Sequence, residues 1–209
     1  MNPIQKYLAL GDSYTIGEAV RTEESFPGQL VSLLRSAGHP VEQWRVIAKT
    51  GWTTDELIRA IEEAEKIDPI ACDQDLVTLL IGVNNQYRGR SVSEFAVQFQ
   101  DLLKRAVHYA GNNPERIRVL SIPDWGITPF AADRDREEIS RQIDLFNEEK
   151  KSICERAGIH YIYITDLTRE AKNRPELITT DGLHPSGIDY FHWAKRVWSS
   201  LKSSRLIGF

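Results

Sequence analysis

A chain of 209 residues, 41% hydrophobic and 27% charged, has the apolar content for a substantial core and suits one domain over residues 1–209. Its net charge of −4, with no basic stripe, argues against nucleic acid as a partner. The opening stretch MNPIQKYLALGDSY passes from a short apolar segment straight into polar residues, so neither a signal peptide nor an integral membrane segment is expected. Cys72 and Cys154 stand alone, outside any CxxC pair, and fit reduced thiols in a cytoplasmic protein; a chain already trimmed of a leader would read the same.

The first apolar run, Tyr7–Leu10, predicts a strand that stops at Gly11-Asp12-Ser13. Pro27, suited to a first helical position, and Gly38, a stop, bracket the next helix. Trp44–Ala48 is the second apolar run. Thr53 and Glu56 then show capping-box spacing before Leu57, Ile58 and Ile61. After the third run, Leu76–Ile81, Ser91 and Glu94 repeat that box ahead of Phe95, Phe99, Leu102, Leu103 and Ala106, with Gly111 as the stop. Ile117–Ile122 is the fourth run. Ile139, Ile143, Phe146, Ile153 and Ala157 form a helical stripe ended by Gly158, and Ile159–Ile164 is the fifth run. A last helix begins near Ser186 and carries Tyr190, Ala194, Val197, Trp198 and Leu201 at helical spacing; Trp193 and Trp198 read as packing. Near-continuous apolar strands alternating with amphipathic helices predict an α/β fold, a three-layer α/β/α sandwich over a parallel sheet.

In such a sheet, function gathers beyond the carboxyl ends of the strands. The segments there are Gly11-Asp12-Ser13-Tyr14, Lys49-Thr50-Gly51-Trp52, Gly82-Val83-Asn84-Asn85, Pro123-Asp124-Trp125-Gly126 and Thr165-Asp166. A hydroxyl nucleophile needs a base for its proton and donors for the oxyanion it creates. Ser13 is a candidate nucleophile. The Ser13 and Gly51 N–H groups and the Asn84 amide are candidate donors, although each alone also reads as a turn residue. Of the five histidines, His39, His108, His160 and His192 read as surface or packing residues. His184 differs: Asp181 precedes it by three residues and Pro185 restricts its backbone. In a turn, that spacing brings a carboxylate to Nδ1–H and leaves Nε2 free to face Ser13.

These segments, in this order, resemble the blocks of the SGNH (GDSL-like) hydrolases. "GDSY" is similar to the nucleophile block, Gly51 in "KTGWTTDEL" to the second, "IGVNN" to the third and "DGLHPS" to the last. The resemblance spans residues 11–184. It implies a flavodoxin-like sandwich with a five-stranded parallel sheet, a triad of Ser13, Asp181 and His184, and an oxyanion hole of Ser13, Gly51 and Asn84. Two departures stand out. Asn85 replaces the usual Asp, which leaves the support of the oxyanion loop open, and Tyr14 replaces the name-giving Leu.

The expected reaction is hydrolysis of a small carboxylic ester through an acyl-serine, which needs no metal or cofactor. The sequence does not separate lysophospholipase, thioesterase and carbohydrate O-deacetylase substrates. Asn85, Tyr87, Trp125 and Phe130 are candidate pocket residues, and Arg88 a candidate contact for an anion or simply a solvated cation. No long insertion suggests a lid, so a shallow site for short esters is expected. No Gly-x-Ser-x-Gly elbow surrounds Ser13, which argues against the α/β-hydrolase fold. Two alternatives stand: a flavodoxin-like module binding a phosphate or nucleotide with residues 11–17, and a catalytically idle carbohydrate-binding protein on the same scaffold.

Overall fold

A computed structural model describes residues 3–204. The five apolar runs form five strands: β1 (Lys6–Asp12), β2 (Gln43–Lys49), β3 (Leu76–Leu80), β4 (Ile117–Leu120) and β5 (His160–Ile162). They make one all-parallel sheet in the order β2-β1-β3-β4-β5. β1 therefore lies between β2 and β3. The chain winds to one side of β1 through β2 and to the other through β3, which places a switch point where β1 and β3 end.

Among the described residues, eight α-helices accompany the strands: α1 (Ser13–Ile16), α2 (Phe26–Ser36), α3 (Thr54–Ile67), α4 (Val83–Tyr87), α5 (Val92–Tyr109), α6 (Arg136–Arg156), α7 (Thr165–Glu170) and α8 (Gly187–Ser203). The long ones start where the caps predict. Ser25 Oγ accepts the Gly28 N–H, and Ser91 Oγ accepts the Glu94 N–H. Glu56 accepts the Thr53 N–H at 2.9 Å. None of them is long and apolar enough to cross a membrane.

The third, fourth and fifth strands end earlier than their apolar runs because the backbone changes partners. Ile122 N–H donates to Asn147 Oδ1 at 2.8 Å, and Ile164 N–H donates to Ser121 Oγ at 2.7 Å. Side chains replace the ladder there, and the chain turns out of the sheet over the site. The core fills both faces. Leu8, Leu10, Leu79 and Val119 on the strands are fully buried, as are Leu30, Phe99, Ile143 and Trp193 on the helices. α2 and α8 meet on one face, where Gln29 Nε2 donates to the carbonyls of Glu24 and Gly187, both at 2.7 Å.

Candidate active site

β1 delivers Ser13. Its last turn presses against β3 so closely that a Cβ on Gly11 would lie 2.3 Å from the Leu80 carbonyl oxygen and 2.0 Å from Thr15 Oγ1. Only glycine permits that approach. Asp12 then caps α1, its Oδ1 accepting the Tyr14 N–H at 3.1 Å, and Ser13 is the first helical residue. The Asp12 carboxylate is fully buried beneath this turn and already occupies an N–H that an incoming phosphate would use. An N–H already taken disfavours an anion on residues 11–17.

The base comes from the other end of the chain. Residues 177–186 close on themselves: Ile178 and Pro185 form an antiparallel bridge, and Ser186 N–H donates to the Leu177 carbonyl at 2.7 Å. Within this loop Asp181 collects four hydrogen bonds. Oδ1 accepts Leu183 N–H at 2.8 Å, His184 N–H at 2.9 Å and Thr179 Oγ1–H at 2.7 Å. Oδ2 accepts from the His184 ring, with Nδ1 at 2.7 Å. Burial alone would raise the Asp181 carboxyl, but the ring, the two backbone N–H groups and the Thr179 hydroxyl outweigh it and hold the group down to about 2. With Nδ1–H on Asp181, Nε2 is left to accept the Ser13 hydroxyl 3.0 Å away. The Tyr14 ring packs 5.0 Å from the imidazole and stacks on Trp193 at 6.3 Å, so the base is wedged from its side.

Blocks two and three meet beside this pair. Asn84 Nδ2 donates one proton to the Trp52 carbonyl at 3.0 Å, which leaves the other available. Arg88 donates to the Gly51 carbonyl at 2.6 Å and to Glu56 at 3.2 Å. Its guanidinium thus ties the Gly51 turn to α4 and α3, an intramolecular role that the sequence reading did not include. Gly51 adopts φ 82°.

A cavity of about 180 Å³ opens on Ser13, His184 and Asn84. Tyr87, Trp125 and Phe130 line it, as expected, with ring centroids 5.3–6.2 Å apart. Tyr14, Val83 and Leu183 complete the lining and were not singled out in the sequence. Gly51 does not line it. Asn85 does not either, and this corrects its placement as a pocket residue. It is fully buried below the loop, accepting the Thr54 N–H at 3.1 Å and donating to Thr54 Oγ1 at 2.7 Å. Both edges of its amide are used, so asparagine provides the loop support left open by the missing Asp. Arg134 was also missed. Its guanidinium lies 5.2 Å from the Tyr87 ring, 5.5 Å from Trp125 and 5.8 Å from Phe130, gathering the three rings into one wall. The other histidines lie elsewhere. His39 accepts the Ile4 N–H, His108 meets Cys72, and His160 meets Glu115.

A serine, an imidazole and a carboxylate bonded in series at the strand ends of a parallel sandwich have the layout of a hydrolase. The chain belongs to the GDSL-like lipase/acylhydrolase family, whose model matches residues 9–188. The fold is also that of solved structures at low identity. TesA is 17% identical, with 96% of this chain and 99% of that chain covered and a TM-score of 0.70. A lipase/acylhydrolase from Enterococcus faecalis is 18% identical, covering 95% and 96%, also at 0.70. Axe2, an acetylxylan esterase from Geobacillus stearothermophilus, is 20% identical, covering 95% and 94%, at 0.68. No curated protein matches the sequence.

Proposed function

We propose that the protein is a serine esterase that cleaves small carboxylic esters through an acyl-serine intermediate. One observation carries this reading: Ser13, His184 and Asp181 form an unbroken series, 3.0 Å and 2.7 Å between heavy atoms, at the edge of a cavity that Asn84 also lines. His184 Nε2 takes the Ser13 proton as Oγ attacks the ester carbonyl carbon. The oxyanion develops toward the Asn84 amide and the Ser13 N–H, beside the turn that Gly51 makes. Collapse breaks the bond to the alcohol, which leaves with the proton from His184. Water, deprotonated by the same imidazole, then releases the acid and restores Ser13. Asp181 stays ionised throughout and stabilises the imidazolium.

The substrate is a short ester. A cavity of about 180 Å³ walled by Tyr87, Trp125 and Phe130 is well below the roughly 300–1,000 Å³ of pockets for drug-sized ligands. The test is a panel of p-nitrophenyl esters from acetate to long chains, run on the wild type and on Ser13→Ala. Turnover of the short esters that vanishes with Ser13 is the expected result. Turnover that survives the substitution overturns the mechanism, and a clear preference for long chains overturns the substrate class.

A further inference from the structure

One residue of α6 is out of keeping with its buried face. Lys150 follows Phe146 by four positions and precedes Ile153 by three, where the stripe asks for a hydrocarbon, and it is fully buried. Its Nζ donates to the Ile81 carbonyl at 3.0 Å and lies 5.4 Å from the centroid of the Phe99 ring. Burial pulls its ammonium down to about 7. Burying such a group is costly, and methionine would fill the same space without that cost. The proposed reaction does not use it.

The lysine sits at the root of the oxyanion loop. Ile81 is the first residue past β3, so the sheet no longer takes its carbonyl. Gly82 follows at φ 123°, and a Cβ there would lie 2.7 Å from the Phe95 ring. Phe95 stacks on Phe99 at 5.4 Å. The backbone leading to Asn84 thus rests on two aromatic rings and one ammonium. The same charge reaches the nucleophile turn. Burial raises the Asp12 carboxyl to about 7 even though the Tyr14 N–H and then the Lys150 charge pull against it. Asp12 Oδ2 has no hydrogen-bond partner.

We propose, on the reading of Asn84 as an oxyanion donor, that Lys150 is a positioning residue whose ε-amino group pins the Ile81 carbonyl and so fixes where the Asn84 amide points. It does not touch the substrate. It acts through the Ile81-Gly82 backbone, and its effect on the reaction passes through Asn84.

The experiment is a double-mutant cycle on short p-nitrophenyl esters with Lys150→Met, Asn84→Ala and the pair, beside Ser13→Ala. Lys150→Met should lower kcat by about tenfold or more while KM moves less than about threefold. In the Asn84→Ala background the same change should cost less than about threefold, because the group it positions is already gone. An unchanged kcat in Lys150→Met, with Ser13→Ala inactive, overturns the positioning role and leaves the esterase reading intact. Equal losses with and without the Asn84 amide also overturn it, since the lysine then serves the fold alone. Activity that persists in Ser13→Ala removes the reading on which it rests. Circular dichroism and Tm establish that each variant folds. Should Lys150→Met fail to fold, Lys150→Gln is read in the same cycle, and failure of both to fold rejects the proposal.

Discussion

His184 Nε2 and Ser13 Oγ lie 3.0 Å apart although 171 positions separate the two residues in the chain. The sheet closes that gap: β1 sets the serine at its carboxyl end, and the loop before α8 swings the imidazole over it. On the proposed mechanism the pair acts as a unit: Ser13→Ala and His184→Ala should each lower kcat by about 10⁴-fold or more, and the double variant should be little worse than either. Initial rates on p-nitrophenyl acetate check this. Multiplicative losses would mean that the two side chains act separately.

Asp181 ties activity to stability. Folding lowers its carboxyl from 3.8 to about 2, so the folded state binds fewer protons than the unfolded chain in that interval. The stabilisation is present above about pH 4 and is lost as pH falls through about 2. Asp181→Asn should flatten this acid limb in urea melts, while lowering kcat by about 10⁴-fold through the wrong imidazole tautomer. An acid limb equally steep in the variant would assign it to other carboxyls.

The two neighbouring asparagines should separate cleanly. Asn84→Ala should lower kcat by about 10²–10³-fold with little change in KM or Tm, the loss expected of an oxyanion donor. Asn85→Asp restores the family's usual residue but loses the amide donor to Thr54 Oγ1. Thr54 Oγ1 would then have to leave Gln98 Oε1 to meet the new carboxylate. A loss of about 1–3 kcal/mol in denaturant unfolding is expected. Unchanged stability would show that Thr54 reorients freely.

The aromatic wall should set chain length. Phe130 is 43% exposed, so truncating it opens the cavity without emptying the core. Phe130→Ala should raise the ratio of hexanoate to acetate turnover, by roughly 10-fold or more on the scale that one methylene is worth in an apolar pocket. An unchanged ratio would place the acyl chain elsewhere.

Asp189, in the first turn of α8, reads out burial directly. It is fully buried, and burial pushes its carboxyl from 3.8 up to about 7. A carboxyl raised on folding weakens the folded state progressively as pH climbs from about 4 to about 7. Asp189→Asn should therefore gain unfolding free energy relative to the wild type between pH 5 and pH 8, on the order of 1–3 kcal/mol in urea melts. A pH-independent difference would show that the group ionises as it does in the unfolded chain.

Much of this was legible in the sequence because the signals are local. Apolar runs ending in small polar residues marked the strand ends. Pro185 and the Asp-x-x-His spacing marked His184, and Ser91 and Thr53 marked helix starts. What escaped depends on partners far along the chain. Asn85 finds Thr54 31 residues away, and Arg134 finds Tyr87 47 residues away. α1, α4 and α7 span at most six residues, too few to show a helical period. Lys150 did leave a trace, a lysine where the α6 stripe calls for an apolar residue.

The loop closed by Ile178 and Pro185 carries both Asp181 and His184, already bonded to each other. Because the two are joined within one closed loop, their registry with Ser13 is set by how that loop seats beside the end of β1. On the proposed mechanism, a substitution that loosens the stems of this loop should therefore cost activity before it costs the sheet.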